Sequence, residues 1–129
     1  MMKSLFMATA VEKIVHEIRK QFEEGRVGQE LLAQLYKGYT DVGDTTKFIS
    51  HAKVLFPNGN CGLTSLYLKK EIGGEIVQGT YGEHNHTFLL VDDTVIDITA
   101  DQFGGPKVYI GPLRSPWASI RPTLHISVT

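Results

Sequence analysis

Residues 57–98 read PNGNCGLTSLYLKKEIGGEIVQGTYGEHNHTFLLVDDTVIDI, and the hydrophobic period changes in the middle of them. Up to Ile72, the apolar residues Leu63, Leu66 and Tyr67 share one helical face; after Gly73-Gly74, apolar and polar residues alternate. Pro57-Asn58-Gly59-Asn60 is a turn cluster, and Asn60 is a favourable N-cap. The spacing therefore predicts a helix whose first turn carries Cys61. Beyond the glycine pair, residues 75–80 and 85–91 read as strands. Asp92-Asp93 reads as a turn, and residues 94–98 pair back as the second arm of a hairpin.

Upstream, Val11, Ile14, Val15, Ile18 and Phe22 recur at helical spacing. Thr9 with Glu12 forms a capping box that starts this helix, and Gly25 ends it. Leu31, Leu32, Leu35 and Tyr36 predict a second helix stopping at Gly38. Residues 39–46 read as a loop, and residues 47–56 fit either a short helix or a strand. Downstream, residues 107–110 form a fourth strand, between Gly105-Pro106 and Gly111-Pro112. Leu124, Ile126 and Val128 alternate in a fifth, at 123–128. Helices followed by neighbouring strands imply an α+β domain with an antiparallel sheet.

The 129 residues fit one domain. It divides into a helical half (8–56) and a core carrying the chemistry (57–128). A net charge of −1 implies no strongly basic face, so nucleic acid is not an expected partner. One cysteine excludes an intrachain disulfide and a multi-thiolate zinc site. The apolar run Leu5-Phe6-Met7-Ala8 is too short for a signal peptide or a membrane span. The expectation is a cytoplasmic protein, or one exported without a cleaved signal, with no membrane partner.

A thiol acts as a nucleophile only as its thiolate, and a helix N-terminus favours that anion. Gly62 lets a substrate approach the backbone, and the Cys61 N–H is available to an oxyanion. His86, opening the apolar run Thr87-Phe88-Leu89-Leu90-Val91, supplies a base that later returns the proton to a leaving group. Its second ring nitrogen needs an orienting acceptor. With the turn at Asp92-Asp93, Asp97 lies one diagonal step from His86. His84, two residues earlier on the same strand face, competes with His86 and reads as a rim residue. Asp101 competes with Asp97, although an Asp after a strand usually caps a turn. Trp117 reads as a packing residue; His16 and His125 stand in no constellation.

Asn60-Cys61-Gly62, Asn85-His86-Thr87-Phe88 and the run from Val95 to Phe103 resemble the papain-like superfamily in its unpermuted order. The closest likeness is to transglutaminase-like and bacterial papain-fold effector or toxin domains. The resemblance covers about a third of the chain. It implies Cys61 as nucleophile, His86 as base and Asp97 as orienter, acting on a protein or peptide substrate without a cofactor. The aromatic residue that often follows the active Cys is replaced here by Gly62 and Leu63. The family usually completes the oxyanion hole with an upstream Gln, and no Gln closely precedes Cys61 here. Asn58, Asn60 and His51 are the available substitutes, and His84 would line the rim.

The expected activity is acyl chemistry through a thioester: peptidase, glutamine deamidase or acyltransferase. The alternatives are a papain-fold module that binds peptides without turnover, and a metal site built from His84, His86 and Asp97 or Cys61.

Overall fold

The computed structural model describes residues 2–39 and 45–119, with side chains from residue 9 onward. Four helices precede the sheet: α1 (Met2–Glu23), α2 (Gln29–Tyr39), α3 (Thr45–Leu55) and α4 (Cys61–Ile72). The strands are β1 (Glu75–Tyr81), β2 (His84–Val91), β3 (Thr94–Asp97), β4 (Tyr109–Pro112) and β5 (Trp117–Ser119). They form an antiparallel sheet in the order β4-β3-β2-β1-β5. The chain is thus α+β, as the change of period at Gly73-Gly74 implies.

Several local expectations need correction. Helix α1 begins at Met2, so Thr9 and Glu12 lie inside it and do not cap it. The ambiguous 47–56 stretch is helix α3, with Ile49 and Ala52 turned inward three residues apart. Asn60 stands at the N-cap position of α4, but its side chain makes no capping bond. The fourth strand runs two residues later than expected, and β5 is Trp117–Ser119. The proposed strand at 123–128 lies outside the described residues, as do His125 and most of the 39–46 loop.

The sheet separates two apolar clusters, because successive strand residues face opposite ways. Val15, Ile18 and Phe22 of α1, Leu32, Ile49, Leu63 and Leu68 pack with Leu89, Ile96 and Ile98. On the other side Val77, Phe88, Val95, Ala100 and Trp117 form a smaller cluster. Trp117 of β5 stacks on Tyr109 of β4 at a centroid distance of 3.8 Å. These are the two ends of the strand order, so the sheet curls until its edges meet through side chains. Gly79 permits this curl. A Cβ there would stand 2.1 Å from the Ala118 carbonyl oxygen, so only glycine lets β5 close on β1.

One buried cation ties the helical half to the sheet. Arg19 of α1 donates to both carboxylate oxygens of Asp101 (2.8 and 2.9 Å), to Glu23 (2.8 Å) and to the Ile98 carbonyl (2.9 Å). Its guanidinium also lies 4.7 Å over the Phe56 ring. Asp101 is therefore a structural partner of Arg19, held in the short 3-10 helix Ala100–Phe103.

Candidate active site

The site forms where the β2–β3 ladder is incomplete. The hairpin register is that expected from a turn at Asp92-Asp93, with Val91 opposite Thr94 and Leu89 opposite Ile96. Asp92 takes the left-handed conformation (φ 54°) such a tight turn needs. Pairing stops at Leu89 and Ile96, which leaves an open edge on β2 beside Thr87. Helix α4 occupies that edge. Ser65 Oγ donates to the Thr87 carbonyl at 3.4 Å. The Thr87 N–H and hydroxyl lie close enough to the Cys61 sulfur to lower its titration. Cys61 and Ser65 are four residues apart and share a helix face, so one face of α4 supplies the partners a strand would have given.

His86 and Asp97 meet on the opposite face of the hairpin. Both are buried, at 3% and 2% exposure. His86 Nε2 lies 2.7 Å from Asp97 Oδ2. Asp97 Oδ2 also accepts from the Trp117 indole N–H (2.8 Å), and Oδ1 accepts from the Thr99 N–H (2.9 Å) and hydroxyl (3.3 Å). A carboxylate only accepts, so Nε2 carries a hydrogen and Nδ1 is the nitrogen free for proton transfer. Nδ1 is the one buried side-chain polar atom without an aligned hydrogen-bond partner among the described residues. With Nε2 committed to Asp97, the Cys61 sulfur meets the imidazole on the Nδ1 side. That contact is felt by both groups but is not aligned as a full hydrogen bond, a looseness common in unliganded sites. The edge of Phe103 (5.2 Å) and the ring of Tyr81 (6.3 Å) close around the imidazole.

The charges are arranged for a thiolate–imidazolium pair. Burial alone pushes the Cys61 thiol up, but its polar contacts with His86 and with the Thr87 backbone outweigh it, and the thiol lies below its ordinary value. Burial also disfavours the His86 cation, yet the hydrogen bond to Asp97 and the contact with Cys61 raise it to about 9. Cys61 opens α4, whose first-turn N–H groups have no intrahelical acceptor. The Asn60 side chain does not cap them.

The other expected site residues fare differently. Asn60 is buried and spends its amide hydrogens on the Ala52 and Asn58 carbonyls (2.8 and 2.9 Å). It shapes the turn that presents Cys61 and has no N–H left for an oxyanion. Asn58 and His51 are exposed, and neither is brought to Cys61 by any bond among the described residues. Gly62 is half-buried beside Cys61. His84 is exposed and stacks on Phe103 at 4.5 Å, so it lies at the rim of the His86 enclosure. No group of three or more His, Cys, Asp or Glu among the described residues is arranged to hold a metal ion.

Sequence reasoning missed Trp117 and Thr87. A Trp that follows Pro116 and opens a short strand carries no signal that its N–H ends on a carboxylate from another strand. Removing that N–H leaves Asp97 Oδ2 one donor short in a buried site. Trp117→Phe is expected to lower the unfolding free energy by about 1–3 kcal/mol, measured by urea denaturation.

No curated protein and no solved structure matches the chain. No helix among the described residues is long and apolar enough to cross a membrane. A family model described as YunG protein matches residues 19–120, a span that runs from Arg19 through β5 and contains Cys61, His86, Asp97 and Trp117. The chain belongs to the YunG family.

Proposed function

We propose that the protein is a cysteine enzyme of the papain-like or transglutaminase-like kind, which transfers acyl groups from a protein or peptide amide through a thioester on Cys61. One observation carries this reading: the free Nδ1 of a buried, Asp97-bound His86 faces a thiol at the first residue of a helix. A buried packing cysteine needs neither a polarised imidazole nor a lowered thiol.

The chemistry follows from the proton positions. The Cys61 thiolate attacks the carbonyl carbon, forming the S–C bond while the carbonyl electrons move to oxygen. First-turn N–H groups of α4 are placed to hold that oxyanion. On collapse the C=O re-forms, the C–N bond breaks, and the His86 imidazolium protonates the leaving amine. The neutral imidazole then deprotonates the second nucleophile, water or an amine, which releases Cys61. Hydrolysis, deamidation and transfer share every step but the identity of that nucleophile.

The unaligned Cys61–Nδ1 contact favours a second reading, a papain-fold module that binds peptides without turnover. It requires a thiol titrating near the free-cysteine value of about 8.5. Both are tested with p-nitrophenyl acetate. The enzyme reading predicts p-nitrophenolate release at pH 7, faster than from free cysteine, and an acetyl adduct mapped to Cys61. The same adduct is absent in Cys61→Ala. A wild-type rate no greater than that of free cysteine would refute it.

A further inference from the structure

The Cys61 site has no obvious side-chain donor for its oxyanion, since Asn60 is spent on carbonyls and no other polar side chain of the turn reaches it. Helix α2 supplies one from the opposite side. Tyr36 lies against the first turn of α4: a Cβ at Gly62 would stand 3.9 Å from Tyr36 Cε1. The ring is fixed by a parallel stack on Phe48 of α3, with centroids 4.7 Å apart and planes 8° apart. A stacked, half-buried ring has little freedom, so the hydroxyl at its tip is held in place. Its neighbour Tyr39 accepts a hydrogen bond from Gln78 at 2.7 Å, and Tyr109 donates to the Pro112 carbonyl at 2.7 Å. The Tyr36 hydroxyl makes no hydrogen bond to another described residue.

We infer that the Tyr36 hydroxyl is the side-chain donor of the oxyanion hole, working beside the first-turn N–H groups of α4. This inference rests on Cys61 being the nucleophile. As the S–C bond forms, the carbonyl π electrons pass to oxygen, and the phenol donates a hydrogen bond to that oxygen without giving up its proton. On collapse the C=O re-forms and the hydrogen bond weakens. Tyr36 is suited to this role because it stays a neutral donor. Burial raises its titration above the ordinary phenol value, and the neighbouring Tyr39 and the Cys61 thiolate add to the effect. A fixed donor that needs no reorganisation at the moment of reaction is the arrangement that stabilises a developing oxyanion best.

Two reactions of the same thiol separate this role from every other. Acylation by p-nitrophenyl acetate passes through an oxyanion; alkylation by iodoacetamide displaces iodide and makes none. Tyr36→Phe keeps the stack on Phe48 and removes only the donor. It is expected to slow acylation about a hundredfold while alkylation, and the pH at which it is half-maximal, stay within about twofold of the wild type. Tyr39→Phe, the control, leaves both reactions unchanged. Unaltered acylation in Tyr36→Phe overturns the inference while leaving Cys61 as nucleophile. An equal loss of acylation and alkylation also overturns it, because Tyr36 would then act on the thiol or on the fold. If the wild-type chain is alkylated at Cys61 yet never acylated, the nucleophile reading falls and this inference falls with it.

Discussion

Asp97→Asn is expected to slow acylation of Cys61 by about 10³–10⁴-fold, although the two side chains have the same shape. The reason is the count of donors. Asp97 accepts from His86 Nε2 and Trp117 Nε1 on one oxygen, and from the Thr99 N–H and hydroxyl on the other. An amide has one accepting end and one donating end. Whichever way it is turned, its NH₂ faces a hydrogen that has nowhere else to go. If the NH₂ faces His86, the imidazole must shift its hydrogen to Nδ1, where it can no longer take a proton from Cys61. If it faces Thr99, a buried backbone N–H loses its acceptor. The charge that steadies the imidazolium is lost in either case.

The pH dependence has a definite sign. Asp97 is among the groups that raise His86 to about 9. A raised histidine stabilises the fold fully below its unfolded value of about 6.5, and that contribution is lost as pH rises through about 9. The stability gap between wild type and Asp97→Asn should thus be greatest near pH 6.5 and narrow above pH 9, read from urea midpoints at both values. Without the cation the thiol loses its main attractive partner, so the midpoint of iodoacetamide alkylation moves upward in the variant. An amide substrate, which needs the His86 proton on its leaving group, should also lose rate in the wild type as pH passes about 9. Alkylation, which needs no acid, should not. An Asp97→Asn chain acylated at the wild-type rate would show that the carboxylate takes no part.

What the sequence showed, and what it hid, divides along the range of the interactions involved. The Cys61 helix, the hairpin and its register are local events: a turn cluster, a glycine pair and an Asp-Asp turn mark them within a few residues. Because the register is local, the diagonal relation of His86 and Asp97 was legible as well. The pieces that complete the site are not local. Trp117 reaches Asp97 only because Gly79 lets β5 close on β1 and the sheet curls. Thr87 reaches Cys61 only because the β2–β3 ladder stops early and α4 fills the gap. Asn60 reads as a cap by residue type, yet its amide finds two carbonyls in the preceding turn and helix, and tertiary partners override the local preference. Tyr36 reads as one more apolar position on a helix face, and its neighbourhood with Gly62 depends on how two helices cross.

Arg19 is the other long-range tie that the sequence conceals, since one arginine in an amphipathic helix reads as solvated. Arg19→Met is expected to lower the unfolding free energy by about 3–5 kcal/mol, a large share of the roughly 5–15 kcal/mol that holds a domain together. The guanidinium satisfies both oxygens of Asp101, Glu23 and the buried Ile98 carbonyl, and packs on Phe56. Methionine replaces the packing but leaves a half-buried carboxylate without its cation and a carbonyl without its donor. Lysine keeps the charge and still loses the two-pronged contact with Asp101, so Arg19→Lys should recover only part of the loss. Removing the stranded charge as well, in Arg19→Met with Asp101→Leu, should restore more stability than Arg19→Lys, because most of the penalty belongs to the unpaired Asp101. Ile98 is the next residue after Asp97 and Asp101 lies one turn further on, and Thr99 between them holds the Asp97 Oδ1. A chain in which Arg19→Met unfolds more easily yet keeps the wild-type pH midpoint of Cys61 alkylation would show that Arg19 serves the fold alone. A raised midpoint in the still-folded protein would show that the same clamp also sets the carboxylate on which His86 depends.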